Sequence, residues 1–365
     1  MNRIMSVVDG VNHEVFMERC LQLALNGLGN VAPNPLVGSV IVHDGKIIGE
    51  GFHAKFGMAH AEVNAINSVK DKSLLKDSTL YVSLEPCSHH GKTPPCADLI
   101  VNMGIPRVVV AIRDPFPEVA GQGVARLQAA GVEVIEGVLE DRAREVNRRF
   151  LTFQQKKRPY IILKWAQSLD AYVDIERHPG DDKKPIWITN ELARAVVHRW
   201  RSEEQSIMVG TKTVELDNPR LNVRDWKGSN PIRIVIDRTL RLAPDSNVFD
   251  EETITVIIMG NNSGSAARRQ NFLNRPNIEM VAIDFSREIE PQIMEVLYQR
   301  SVQSIIIEGG SQVLESFISR NLWDEARVFI GRKLFFSGVR APILSAKPVS
   351  EDRLFDSILY TYRNV

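Results

Sequence analysis

Four residues stand out for the chemistry their side chains could perform together: His60, Glu62, Cys87 and Cys96. They supply one imidazole, one carboxylate and two thiolates. Zn²⁺ takes nitrogen and sulfur ligands tetrahedrally, and a catalytic site keeps one position for water. One His with two Cys makes such an open site. Glu62, two residues from the His, is placed in the chain to move protons for that water. Residues two apart do not share a face within a helix. His60 and Glu62 can therefore address one metal only at the start of a helix, and Ala61, Val63, Ala65, Ile66 and Val69 allow one to begin there. Cys96 is expected in the first turn of another helix, whose N-terminus favours thiolate over thiol. His89 and His90 lie between the cysteines and would permit a closed Cys₂His₂ knuckle; that arrangement leaves His60 and Glu62 unused.

These side chains need elements to hold them. Residues 14–26 read as an amphipathic helix; Cys20 within it reads as a small buried hydrophobe. Segments 37–42 and 47–51 flank Asp44-Gly45, a hairpin signal. A helix is expected over 61–69, a strand over 79–84, and a helix over 94–102 with Pro in its first turn. A strand over 107–112, a helix over 124–130 and a strand over 132–135 follow. A charged helix over 140–153 leads into Gln154-Gln155-Lys156-Lys157-Arg158-Pro159. That polar, basic segment is either an exposed helix end or a domain boundary, and the strong strand signal restarting at Tyr160 decides for a boundary. Beyond it, strands are expected over 160–165, 206–209, 232–236, 253–258, 278–283, 304–307 and 325–330. Helices are expected near 190–202, 265–274, 288–300 and 311–320. Such alternation implies an α/β layer structure. The apolar strand ending at Ile307 runs into Glu308-Gly309-Gly310-Ser311. The glycine pair is a tight turn or a place where backbone N–H groups approach a phosphate at a helix start. It is not G-x-G-x-x-G, so no Rossmann fingerprint is present.

The chain has 365 residues, 44% apolar and 25% charged, the composition of a globular protein of about two domains. Lys+Arg and Asp+Glu both number 45, a balance that argues against a protein built to hold nucleic acid. No apolar run approaches a membrane span, and the first ten residues carry no signal-peptide core. With three Cys in all and two assigned to metal, a reducing, cytoplasmic location is expected.

The general deaminase signature is P-C-x-x-C, whereas eight residues, Ser88 to Pro95, separate Cys87 from Cys96. This longer form, with Asn34-Pro35-Leu36-Val37-Gly38, Ala59-His60-Ala61-Glu62, Leu84-Glu85-Pro86-Cys87 and Arg113-Asp114-Pro115, resembles the deaminase half of a bifunctional riboflavin-biosynthesis family. Its members fuse a diaminohydroxyphosphoribosylaminopyrimidine deaminase to a 5-amino-6-(5-phosphoribosylamino)uracil reductase. The likeness runs over 12–154. Residues 159–365 resemble the reductase half through Lys164, Ser168-Leu169-Asp170, Trp187-Ile188-Thr189, Arg201, Gly210, Thr213-Val214, Asp217-Asn218-Pro219, Leu221, Arg224 and Glu308-Gly309-Gly310-Ser311.

The resemblance implies a cytidine-deaminase-like α/β/α domain over 1–154 and a dihydrofolate-reductase-like α/β domain over 155–365. It assigns zinc to His60, Cys87 and Cys96, and acid–base work in hydrolytic deamination of the pyrimidine to Glu62. Asn34, His53, Lys92 and Asp114 would meet the substrate. In the second half it places NADPH against Ala166, Trp187, Thr213 and Asp217. It adds Gly310, Ser311, Gln312, Val313, Leu314, Glu315 and Ser316 for the cofactor phosphates. Substrate would meet Arg201, Leu221, Arg224 and Glu308, the arginines being suited to a ribose phosphate. Reduction would convert the opened ribose to a ribityl chain. The expected partner is a small phosphoribosyl pyrimidine, with no nucleic acid and no membrane, and the chain is expected to form a homo-oligomer. Three departures stand against the family pattern: Phe116 replaces an Asn, Ala171-Tyr172 replaces Gly followed by a basic residue, and Pro185 replaces a Ser. A nucleoside or nucleic-acid deaminase with an accessory domain, a non-catalytic zinc scaffold, and a reductase-like half that only supports the deaminase are the competing readings.

Overall fold

The computed structural model describes residues 7–8, 11–88, 94–115, 120–177, 186–261 and 266–364. The chain forms two compact units, Met1–Lys156 and Lys157–Val365.

In the first unit, Gly38–His43 and Lys46–Phe52 form the hairpin around Asp44-Gly45. Gly38–His43 also pairs antiparallel with Thr79–Val82, and Arg107–Val110 and Glu133–Glu136 extend the sheet in parallel. Successive strand residues face opposite sides. Val40, Val42, Tyr81 and Val109 pack with Met17, Leu21 and Ala24 of helix His13–Leu25 and with Ala143 and Val146 of helix Glu140–Val146. Ile41, Leu80, Val82, Val108 and Val110 pack with helices Ala61–Ser68, Cys96–Asn102 and Gln122–Ala129 through Ala65, Ile66, Ile100 and Leu127. Both faces are covered at Gly38–His43, Thr79–Val82 and Arg107–Val110, which is why these three strands read as apolar runs. Cys20 is fully buried in the first of these layers.

Two helix expectations need correction. The helix expected from Pro94 starts at Cys96, because Pro95 keeps Pro94 out of the helical region and itself caps the helix with ψ 143°. The helix expected over 140–153 is two helices, Glu140–Val146 and Arg148–Lys156. They meet at Asn147, whose side chain accepts from Leu36 N and donates to Leu36 O, each at 2.9 Å. The amide acts as a strand partner for Leu36, and the helix breaks to present it.

The second unit is a nine-stranded sheet in the order Ile278–Ile283, Thr255–Gly260, Ile232–Ile236, Ser206–Gly210, Ser304–Glu308, Tyr160–Gln167, Glu325–Ile330, Ser357–Arg363, Ser350–Leu354. The strands are parallel through Glu325–Ile330, and the last two join antiparallel. Ile161, Leu163, Met208, Ile234, Ile305 and Ile307 face one core with helices Ile289–Gln299 and Ser311–Ser319. Ile162, Ile207, Val209, Val235 and Ile306 face the other with helix Glu191–Glu203. Among the described residues, the pieces not expected include helix Thr211–Asp217, the closing hairpin 350–363, and the short pair Tyr172–Asp174 with Val339–Arg340. Ser350–Leu354 is an exposed edge strand with charge at Glu351, Asp352 and Arg353, a composition that discourages edge-to-edge pairing and hides the strand from a search for apolar runs.

Candidate functional site

Helix Ala61–Ser68 lies so close to the sheet that a Cβ on Gly51 would sit 2.3 Å from Ala65 N. The side-chain-free strand position lets the helix start deliver its residues inward. His60 is the N-cap, extended at φ −70° and ψ 165°, and Glu62 falls in the first turn. Cys87 follows strand Thr79–Val82, and Cys96 opens its own helix and donates its N–H to Cys87 Sγ at 3.3 Å. His60 Nδ1 is 3.6 Å from Cys87 Sγ and 3.4 Å from Cys96 Sγ, and the three donor atoms lie within 4.8 Å of one another. Metal–ligand bonds of about 2.0 Å to nitrogen and about 2.3 Å to sulfur at tetrahedral angles separate such atoms by roughly 3.5 Å. The donor set therefore fits zinc in both chemistry and spacing.

The charges agree. A hydrogen bond from Cys96 holds Cys87 well below the usual thiol range, at about 4, with burial opposing and His60 assisting. The same bond pushes Cys96 up. The thiols share one proton between them, which a divalent cation displaces. Glu62 is 3% exposed, and burial, reinforced by Cys87, pushes its carboxyl up to about 7. A carboxyl poised near neutrality can both take and return a proton.

Beside this centre, His53 is 2% exposed and its ring meets the His60 ring edge-on at 5.5 Å. Its Nδ1 donates to Ala59 O at 3.1 Å, so Nε2 is the acceptor for the Asn34 amide, also at 3.1 Å. Burial lowers the His53 pKa, favouring the neutral ring this pattern requires. Asp114 is held through its backbone N–H, which donates to Glu85 Oε2 at 3.2 Å. Glu85, 4% exposed, also accepts from Gly121 N at 2.9 Å and Val124 N at 3.1 Å. It ties the Asp114 segment to the residues just before Cys87. Sequence reading passed over Glu85 as part of a longer match; a lone carboxylate ending an apolar strand run was the signal. Lys92, His89, His90 and Phe116 lie outside the described residues, as does Pro185.

In the second unit, a cavity of about 980 Å³ opens at the carboxyl ends of strands Tyr160–Gln167, Ser206–Gly210 and Ser304–Glu308, where open α/β sheets bind ligands. Its wall includes Ala166, Trp187, Thr213 and Asp217, Arg201, Leu221, Arg224 and Glu308, and Gly310, Ser311, Gln312, Val313, Leu314 and Ser316. Glu315 is not on it; its carboxylate accepts from Ser311 Oγ at 3.2 Å. Gly309 and Gly310 take φ 75° and 65°, the left-handed region that glycine enters freely. Their bare Cα positions face Thr213, which a Cβ on Gly309 would meet at 3.0 Å. Strand, glycine turn and the start of helix Ser311–Ser319 bring backbone N–H groups to the cavity, which suits the pyrophosphate of a dinucleotide.

The two arginines on this wall differ in what already binds them. Arg201 does not offer an empty fork. Nε and Nη2 bind the Glu308 oxygens at 3.1 and 2.7 Å, and Nη1 donates to Asn222 O at 3.2 Å. Lys164 Nζ stands 3.9 Å from the same carboxylate. Burial alone would raise Glu308, but Arg201 and Lys164 outweigh it and bring the carboxyl down to about 2. Arg224, on the same cavity wall, donates through Nη1 to the neutral Asn222 Oδ1 at 3.2 Å and is the arginine better placed for an incoming anion. Burial raises Asp217 against the pull of Arg177, whose Nη2 is 3.0 Å from Asp217 Oδ1. Arg194 stacks 4.6 Å over the Trp187 ring.

The Ala171 departure has a visible consequence. Ala171 sits at φ 65°, a conformation that strains any residue with a Cβ. The turn is held by Tyr172 N donating to Ser168 Oγ at 3.0 Å and by Asp170 accepting from Phe336 N at 2.7 Å. Tyr172 packs beneath the Arg340 guanidinium at 4.3 Å.

Residues 11–112 match the cytidine and deoxycytidylate deaminase zinc-binding region, and residues 159–345 match the RibD C-terminal domain. The riboflavin biosynthesis protein RibD of Bacillus amyloliquefaciens is 40% identical over 332 residues, 91% of this chain and 87% of that protein. Its counterpart in Aquifex aeolicus is 38% identical over 338 residues, 92% of this chain and 91% of that one. Among solved structures, a diaminohydroxyphosphoribosylaminopyrimidine deaminase/5-amino-6-(5-phosphoribosylamino)uracil reductase from Thermotoga maritima superposes with TM-score 0.84 at 38% identity, covering 96% of this chain and 98% of that one. Acinetobacter baumannii RibD gives TM-score 0.85 at 31% identity, with the same coverage of 96% and 98%.

Proposed function

This chain belongs to the RibD family of riboflavin-biosynthesis proteins, and from that premise we propose how its residues divide the family's two reactions. It is a bifunctional enzyme. Its deaminase unit hydrolyses an amine from 2,5-diamino-6-(5-phosphoribosylamino)pyrimidin-4-one, and its reductase unit converts the ribosyl group of the product to ribityl at the expense of NADPH.

His60, Cys87 and Cys96 hold the zinc. Zinc supplies Lewis acidity there, lowering the pKa of water toward neutrality. Glu62 takes the proton of the attacking water and returns protons to the ring nitrogen and the departing ammonia. His53, fixed as the Nδ1–H tautomer, aims the Asn34 amide at the pyrimidine. Asp114 binds substrate from the segment that Glu85 clamps, and Lys92 meets the phosphate.

NADPH supplies the hydride in the second unit. Gly310 to Ser316 receive its phosphates, and Ala166, Trp187, Thr213 and Asp217 orient the nicotinamide end. Glu308, kept ionised by Arg201 and Lys164, accepts hydrogen bonds from the opened sugar. Leu221 packs against the substrate, and Arg224 takes its phosphate.

The observation that carries the proposal is the meeting of one imidazole nitrogen and two sulfurs within 4.8 Å, beside a buried carboxylate. A coupled assay with the phosphoribosyl pyrimidine, following ammonia and NADPH separately, tests it. Ammonia release is expected first, then NADPH oxidation. A zinc-loaded enzyme that releases no ammonia would overturn the deaminase assignment, and one that deaminates without oxidising NADPH would overturn the reductase assignment. A division at 154/155, a homo-oligomeric state and a cytoplasmic location complete the proposal. Limited proteolysis, light scattering and cell fractionation check them. No helix among the described residues is long and apolar enough to cross a membrane.

A further inference from the structure

The reductase cavity wall contains a buried imidazole that the roles above leave unused. Helix Glu191–Glu203 presents Arg194, His198 and Arg201 to the cavity, at spacings of four and three that share one helix face. His198 is 3% exposed. Its Nδ1 lies 3.2 Å from the backbone nitrogen of Arg224. An amide nitrogen only donates, so Nδ1 carries the lone pair and the ring proton sits on Nε2. Nε2 stands 3.4 Å from Asp225 Oδ2. One ring therefore grips two consecutive residues of the segment that bears Arg224.

That segment needs a grip. Residues 218–231 have no helix or strand of their own. Arg201 on the same helix face adds a second tie, its Nη1 donating to Asn222 O at 3.2 Å. Arg224 then reaches Asn222 Oδ1 at 3.2 Å. The guanidinium is thus located by a chain of contacts that starts at the helix.

We propose that His198 is a positioning residue of the reductase, a neutral imidazole that sets where Arg224 stands for the phosphate end of the substrate. The proposal rests on the reading of Arg224 as the phosphate-binding group. Burial, joined by Arg201 and Arg224, holds the ring at about 4, which favours the neutral form that the contact to Arg224 N requires.

The chemistry offers a matched pair of variants. Asn places an acceptor oxygen where Nδ1 was; Gln places its amide N–H where Nε2–H was and leaves the Arg224 N–H without its acceptor. Steady-state reduction is measured with full-length, zinc-loaded H198N, H198Q and R224A, on the deaminated phosphoribosyl substrate and on its 5′-dephosphorylated analogue. H198Q is expected to raise KM for the phosphorylated substrate about tenfold or more, the cost of orphaning a buried donor. H198N is expected to stay within about threefold of wild type. KM for NADPH stays unchanged in both, and the H198Q penalty disappears on the dephosphorylated analogue. Equal KM values for H198N and H198Q, or a penalty of the same size on both substrates, would overturn the positioning role. R224A separates the two layers. If it impairs both substrates equally, the phosphate reading of Arg224 falls; if it impairs only the phosphorylated one while H198Q matches wild type, the inference about His198 alone falls.

Discussion

In the first unit every proposed metal ligand lies between His60 and Cys96, on two helix starts and the chain just past one strand. In the second, the cavity wall draws residues from Lys164 to Val339. The difference extends to charge. The deaminase site concentrates two thiols, an imidazole and a carboxylate that cannot all adopt their working ionisation without a cation. The reductase site compensates charge with charge, Glu308 lying between Arg201 and Lys164. A compact site of this kind depends on its metal, whereas a dispersed one depends on the packing of its sheet.

Chelation sharpens that contrast most. Stripping zinc from the full chain is expected to abolish ammonia release while NADPH oxidation on pre-deaminated substrate continues. Parallel loss of both activities would break the comparison. Next in size is Glu62→Gln. It should lower deamination by about 10²–10⁴-fold, the usual worth of a positioned acid–base group, with zinc content by atomic absorption and reductase turnover both retained.

Arg201→Ala probes the charge-compensated site. It leaves Glu308 and Lys164 without their main partner, and removal of one member of a buried pair costs about 3–5 kcal/mol. The loss should show as a lower melting temperature of the second unit, with the zinc centre intact. Acid acts on the same pair more gently. Glu308 is depressed from 4.5 to about 2, so its contribution is complete above pH 4.5 and is lost as pH falls through about 2. Over that window wild type should lose stability more steeply than Glu308→Gln, as followed by thermal melts. The smallest effect is expected from Ala171→Gly. Relief of a left-handed Cβ should stabilise the unit by about 1 kcal/mol, read as a higher melting temperature. An unchanged melting temperature would remove strain from the account of that departure.

The parts that were legible share a physical reason. The buried parallel strands announced themselves because both faces are covered, so no polar alternation interrupts them. The meeting of His60, Cys87 and Cys96 was legible because metal chemistry restricts ligand type and the chain keeps them near one another. The break at Asn147 was not legible, since its cause is Leu36, 111 residues away. The hairpin 350–363 was missed because its outer strand is exposed and charged. His198 carries a spacing signal with Arg194 and Arg201, but nothing in the order of residues tells which backbone group its ring will meet.

Residue types alone committed this chain to a one-nitrogen, two-sulfur centre with a carboxylate beside it and to two successive α/β layers. Ligand softness and hydrophobic period are local properties that need no long-range contact. Folding alone decided that Arg201 is occupied by a carboxylate and that Arg224 reaches the same cavity wall. Arg201 and Glu308 are 107 residues apart and meet only where a helix crosses the end of a strand. Ion pairing depends on distance and on exclusion of water, and both arise only once the sheet has closed over them.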